Sequence, residues 1–224
     1  MKRAIVTINY NKARFLQKQL ELFRKFMPVE FDFIVGDNST IGVESEGMRR
    51  MCVDAGVQYV KLDHSNEYNP SVHHAKAINT IISRMPKCDQ VLLVDHDVFP
   101  FKPIRIFDDY QHYDFAGVKQ IRGDVVYLAP CLLLINNFSA HKKEMNMLPV
   151  PGLDTGGSMS ELLLKSKVKY ISEMEATEEL NEIDYSILDG NFMHFVKGSG
   201  WDNNPNHKER IEWLFNELNL KVNS

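Results

Sequence analysis

Cysteine is scarce in this chain. There are three in 224 residues, Cys52, Cys88 and Cys131, an odd number at spacings that match no metal-binding pattern. This excludes a disulfide-stapled secreted scaffold and points to reduced thiols in a cytoplasmic protein, two of them packed in its core. Long hydrophobic runs are also missing. The apolar stretch around Leu132 to Ile135 is too short to span a bilayer, and that of the N-terminal MKRAIVTINYN is too short for a signal peptide. No transmembrane segment is expected, so any membrane role would be peripheral. Charge of one sign is not in excess: 26 basic and 30 acidic residues leave a net charge of −4, so no global basic field draws nucleic acid. There is no internal repeat and no low-complexity segment. The turn Asn9-Tyr10-Asn11 holds no glycine, which excludes the Gly-rich phosphate loop of a nucleotidyltransferase.

What the chain does have is an ordinary globular composition, 44% hydrophobic and 25% charged. A chain of this length buries roughly three quarters of its unfolded surface and needs no staple. Short β-branched segments alternate with amphipathic ones. Ala4 to Ile8 reads as a buried strand. Lys12 to Phe26 reads as a helix, with Phe15, Leu16, Leu20, Phe23 and Phe26 on one face and Pro28 as its stop. Strand 31–35, helix 44–55 and strand 57–62 follow. After a polar loop over 63–71 come helix 72–85 and strand 91–94. This order predicts an α/β protein with a mostly parallel sheet flanked by helices, Rossmann-like in wiring. The second half is more mixed: strands over 115–118, 125–136, 168–171 and 191–196, a short helix over 159–166, and a C-terminal helix over 205–220. Asn204 would cap that last helix and Pro205 open it. The chain reads as one domain, with 1–101 as a nucleotide-binding half and 102–224 as the half that completes the site.

The densest chemistry is in VLLVDHDVFPF, Val91 to Phe101. Four apolar residues bury a strand, then Asp95 and Asp97 stand two positions apart. If the strand continues, its alternation points both aspartates one way and His96 the other. Two close carboxylates repel unless a cation joins them. Such oxygen ligands suit Mg²⁺ or Mn²⁺, and the carboxyl ends of strands in open α/β sheets are where ligands bind. The plain alternative is a solvated turn with two independent aspartates. A zinc site of His73, His74 and His96 matches no usual spacing.

The succession IVTINYN, FIVGDNST, HHAKAIN and LLVDHDVF resembles the GT-A fold glycosyltransferases, particularly those related to family-2-type enzymes with an Asp-x-Asp motif. The resemblance covers residues 3 to 101 well and the rest loosely. It implies that Thr7, Asn9 and Tyr10 line the nucleobase and ribose pocket and that Asp37 accepts hydrogen bonds from the nucleoside, an Asx-turn being the plain reading of Asp37. Lys76 and Asn79 share a helical face and would reach the sugar or diphosphate, as would His96 and Asp95. His73 and His74 could reach it too, surface histidines near a helix start being the plain reading. In GLDTGGSMSELL, Asp154 falls where the family keeps its general base, although Leu153 stands where a Glu-Asp pair is often found. Helix capping by Asp154 or Thr155 is the alternative. NFMHFVKGSGWDN is similar to a late segment that supplies a histidine ligand and a closing loop. His194 would be that ligand beside Asp95 and Asp97, Lys197 would neutralise phosphate, Gly198 would let backbone approach, and Trp201 would stack on the sugar. A satisfied core histidine ahead of a flexible loop is the bland counterpart. The implied activity is sugar transfer from a nucleotide-sugar, a UDP-sugar by preference, to a carbohydrate or other hydroxyl acceptor, with Mn²⁺ or Mg²⁺. Inversion is favoured and retention is the alternative. A metal-dependent phosphoesterase, faintly echoed in VGDN and DGNF, and a non-catalytic sugar- or nucleotide-binding module are the competing readings.

Overall fold

The computed structural model describes residues 1–63, 69–174, 185–196 and 207–224. The first half is the expected succession: β1 (Arg3–Asn9), α1 (Ala13–Phe26), β2 (Asp32–Asp37), α2 (Gly42–Ala55), β3 (Gln58–Lys61), α3 (Pro70–Arg84) and β4 (Gln90–Asp95). Helix α3 starts two residues before the predicted apolar stripe, because Asn69 accepts the amides of Ser71 and Val72 and Pro70 takes the first turn. Then come β5 (Val98–Pro100), α4 (Ile106–Asp109), β6 (Phe115–Arg122), β7 (Val125–Asn136) and α5 (Phe138–His141). A 3₁₀ turn (Gly157–Met159), α6 (Ser160–Leu164), β8 (Val168–Met174), β9 (Tyr185–Leu188), β10 (Phe192–Phe195) and α7 (His207–Asn223) complete the described chain. The predicted cap and first residue of the C-terminal helix, Asn204 and Pro205, lie outside the described residues.

The main sheet has seven strands in the order β3-β2-β1-β4-β7-β6-β8. Strand β7 runs antiparallel to both its neighbours, and every other pairing is parallel. The sheet is therefore continuous across residue 101: β4 from the first half pairs with β7 from the second. A smaller antiparallel sheet, β5-β10-β9, leaves the main one just after Asp97. Neither β5 nor β9 is visible in the periodicity. Among the described residues, no helix is long and apolar enough to cross a membrane. All three cysteines are free thiols and all three are buried, one more than expected.

Two apolar layers cover the main sheet. One packs α3, α6 and residues such as Phe138 and Met147 against one face; the other packs α1, α2 and α4 against the opposite face. A third cluster joins α1, the small sheet and α7 through Phe15, Phe99, Phe195 and Phe215. Phe15 is at its centre, with ring centroids 5.7, 5.8 and 5.3 Å from Phe99, Phe195 and Phe215 in edge-to-face arrangements. Phe15→Ala should therefore cost about 3 to 5 kcal/mol in urea unfolding, the range for a buried aromatic leaving a cavity. A loss under about 1 kcal/mol would show that the cluster can collapse around the gap.

Candidate functional site

The carboxyl ends of β1, β2 and β4 meet at one edge of the sheet. The β1–α1 loop is locked there by reciprocal bonds: Lys12 N–H donates to Asn9 Oδ1 and Asn9 Nδ2 donates to Lys12 O, each at 3.1 Å. Asn11 holds a left-handed backbone (φ 53°) and ties this loop to the next, its Oδ1 accepting the amides of Thr40 and Ile41. Thr7 and Asn9, expected at a nucleobase pocket, are fully buried. Asn9 shapes the loop, Thr7 packs within β1, and neither faces solvent. Tyr10 is partly open, its ring edge-on to His73 with centroids 6.1 Å apart.

Asp37 is also fully buried, and its carboxylate is committed within the protein. It accepts from Ser39 N–H at 2.8 Å, Tyr59 Oη at 2.6 Å, Lys61 Nζ at 3.0 Å and the hydroxyl of Ser45. Burial raises its pKa, but the Ser45, Tyr59 and Ser39 hydrogen bonds outweigh that and hold it below the usual carboxylate range. The bond to Ser39 is the Asx-turn that the loop signal implied. As placed, Asp37 organises the edge instead of presenting free lone pairs to a nucleoside.

Strand β4 stops at Asp95, and His96 and Asp97 form a turn before β5. The expectation of a continuing strand, with both aspartates on one face, is corrected here. Each of the three side chains goes to a different element. Asp95 meets α3, with Oδ1 3.3 Å from His74 Nε2. His96 folds back onto β1, its Nδ1 3.2 Å from Ile8 O. Asp97 turns to the small sheet, Oδ1 3.7 Å from His194 Nε2, while its carbonyl accepts Phe195 N–H at 2.8 Å. Burial favours the neutral form of both His96 and His194. It pushes His96 down to about 4, with the Asp95 charge only partly opposing it, and lowers His194 against the same charge. His74 behaves differently. Burial lowers it, but Asp95, then Asp97 and Asp154, bring it above its ordinary value. Burial likewise raises Asp95, and His74, with His96 and His194 adding to it, offsets this and brings its pKa below the ordinary value. Among the described residues, no three His, Cys, Asp or Glu side chains group closely enough to hold a metal ion. The arrangement is two pairs, Asp95–His74 and Asp97–His194.

Asp154 lies within electrostatic reach of His74. Its loop is pressed against β7 by Gly156, whose φ of 93° excludes a side chain and where a Cβ would sit 2.8 Å from Leu128 O. Asp154 N–H donates to Tyr127 Oη, its Oδ1 accepts Thr155 N–H, and its Oδ2 is 3.8 Å from Arg122. Thr155 Oγ1 donates to Ser71 O at 3.0 Å and so ties the loop to the start of α3. Neither Asp154 nor Thr155 caps a helix: the N-cap residue of the 3₁₀ turn is Gly156 and that of α6 is Met159, each without a side-chain cap bond. The capping alternative therefore fails.

The remaining expected residues divide. Lys76 is exposed on α3. Asn79 is engaged away from the edge, donating to Asn146 Oδ1 at 3.0 Å and accepting Met147 N–H at 2.9 Å. Lys197, Gly198 and Trp201 lie outside the described residues. His74 is the residue that sequence reasoning undervalued. It is the fifth residue of α3 and continues the Ile78 and Ile81 stripe at helical spacing toward the helix N-terminus, which faces the carboxyl edge of the sheet.

No family model matches the sequence, and no curated protein matches it. Solved structures do. TarS 1–349 of S. aureus in complex with UDP-GlcNAc superimposes with a TM-score of 0.54 at 16% identity, over 80% of this chain and 59% of that one. The mannosyltransferase PcManGT of Pyrobaculum calidifontis, in complex with GDP-Man and Mn²⁺, gives 0.54 at 11% identity, over 78% of this chain and 55% of that one. The galactosyltransferase LgtC in complex with donor and acceptor sugar analogs gives 0.50 at 15%, over 75% and 72%. This chain thus spans less than two thirds of the first two. At these identities what is shared is the fold: the chain has the GT-A-type α/β architecture of these sugar transferases.

Proposed function

We propose that this chain is a metal-dependent glycosyltransferase that moves a sugar from a nucleotide-sugar, preferentially a UDP-sugar, to an acceptor hydroxyl. One observation carries the reading. On a GT-A-type fold, three separate segments bring Asp95 with His74, and Asp97 with His194, to the carboxyl edge of the sheet, with Asp154 in their field. Two carboxylates and an imidazole are a donor set suited to Mn²⁺ or Mg²⁺. Asp97 and His194 would hold the ion, with Asp95 joining directly or through water once the two pairs draw together around it; the ion would supply positive charge for a departing nucleoside diphosphate. Tyr10 would meet the nucleoside at the mouth, with Thr7, Asn9 and Asp37 fixing the loops behind it. Lys76 would stand by the diphosphate, with Lys197, Gly198 and Trp201 from the closing segment. Asp154 would take the proton of the acceptor hydroxyl as the new glycosidic bond forms, which favours inversion. On this reading residues 1–101 hold the donor and 102–224 the acceptor.

The neighbours support a nucleotide-sugar donor and a divalent ion: one was solved with UDP-GlcNAc and another with GDP-Man and Mn²⁺. A panel of nucleotide-sugars, with and without Mn²⁺, tests the proposal. Cleavage of one donor class, dependent on added metal, is the expected result. Inertness across the panel together with hydrolysis of simple phosphate esters would replace it with the phosphoesterase reading. Binding without turnover of any donor, whatever acceptor is offered, would leave a non-catalytic module.

A further inference from the structure

Helix α1 buries one face, and that face contains a residue that does not belong in an apolar stripe. Phe15, Leu16, Leu20, Leu22 and Phe23 are all buried, and so is Gln19, fully. A methionine or leucine would fill this space with no polar group to desolvate. Gln19 instead sends its side-chain amide to the turn at the end of β4. Nε2 donates to Asp95 O at 2.7 Å and to Val98 O at 2.8 Å. Both amide protons are thus used, on the two carbonyls that bracket His96-Asp97. The cost is visible at the other end of the group: Oε1 is buried with no hydrogen-bond partner among the described residues.

The two bonds explain why β4 ends where it does. Asp95 is the last residue of β4 paired with β1, and Val94 the last paired with β7. Beyond them the chain leaves the sheet, and the Gln19 amide bridges the point of departure. Phe195 N–H on the Asp97 carbonyl and the His96 ring on Ile8 O fix the same turn from two other sides. Each aspartate can therefore keep its own partner, Asp95 on α3 and Asp97 on β10.

We propose that Gln19 is a positioning residue: by clamping both ends of the Asp95–Val98 turn it sets the placement of the two aspartates on which metal-dependent nucleotide binding depends. The inference rests on the glycosyltransferase reading above. Groups that orient ligands without touching a metal commonly change metal affinity by about 10- to 100-fold when removed.

The test compares Gln19→Met, which keeps the length and removes the donors, with Leu20→Ala on the same buried face, which opens a cavity away from the turn. UDP affinity in the presence of Mn²⁺ is measured by calorimetry, and stability by thermal unfolding. Gln19→Met should weaken UDP–Mn²⁺ binding by about 10- to 100-fold. Leu20→Ala should lower the melting temperature at least as much, with affinity within about twofold of wild type. Gln19→Glu, which sets a carboxylate oxygen against one of the two carbonyls, should bind at least as poorly as the methionine variant. If Gln19→Met folds and binds as wild type does, Gln19 positions nothing. If Leu20→Ala loses affinity as severely, the effect of Gln19 is general destabilisation. A wild-type chain that binds no nucleotide with Mn²⁺ sinks the transferase reading and this inference with it. Wild-type binding with an unchanged Gln19→Met sinks this inference alone.

Discussion

Asp97→Ala should abolish metal-dependent UDP binding and leave the fold standing. Asp97 is in a turn whose backbone is held independently of its side chain, through its carbonyl to Phe195 N–H and through Gln19 on either side. Alanine keeps those bonds. What it removes is a buried carboxylate 3.7 Å from the His194 imidazole, leaving that ring without its acidic neighbour at the candidate metal position. Loss of a direct ligand should exceed the roughly 10- to 100-fold cost of losing a supporting group, so calorimetry should find no measurable UDP affinity with Mn²⁺. A linked readout is thermal. Wild type at one hundred times the dissociation constant should gain about 2.7 kcal/mol from UDP plus Mn²⁺, and the variant almost none. Equal affinity in the two proteins would remove Asp97 from the site.

Asp154→Asn should lower turnover by about 10² to 10⁴ while donor affinity stays near wild type, because a base acts in the transition state and not in the bound donor complex. Asparagine preserves shape and the acceptor oxygen that receives Thr155 N–H, so the loop should stay in place. The other structural consequence is loss of the pairing with Arg122. At 3.8 Å, with both side chains about two-fifths exposed, that pair contributes about 0 to 1 kcal/mol. Stability should therefore hardly change, which separates the catalytic reading from a structural one. A variant that keeps more than about a tenth of wild-type turnover lies outside the range for a general base, and the preference for inversion would go with it.

The sheet was legible because its signals are local. Buried strands such as Ala4 to Ile8 are short apolar runs, and the long run at 125–136 is β7 with the expected bounds. What the pattern could not give is pairing. Nothing in Val125 to Asn136 says that this strand inserts antiparallel between β4 and β6, since that depends on contacts far apart in sequence. The site was half legible for the same reason. Asp95 and Asp97 stand out after a buried strand, but the period-2 rule assumed that the strand continued, and the Gln19 clamp ends it. His74 looked like a surface histidine until the crossover from β3 placed the N-terminal part of α3 over the strand ends. Asp37 was visible as a loop aspartate, whereas its four donors come from α2, β3 and its own loop, and only folding brings them together.

The aromatic cluster that joins α1, the small sheet and α7 has a consequence during synthesis. Phe15 leaves the ribosome about 200 residues before Phe215, and the two end 5.3 Å apart between ring centroids. At about 5 to 20 residues per second the gap is roughly 10 to 40 s. Through that interval Phe15 and Leu22 of α1 lack the α7 residues that cover them, and Phe195 arrives only 20 residues ahead of Phe215. His194, the neighbour of Phe195, is delivered by the same late strand. The nascent chain therefore lacks, over the same interval, both the cover of Phe15 and the histidine of the candidate metal position, and the two are supplied by neighbouring residues of one strand.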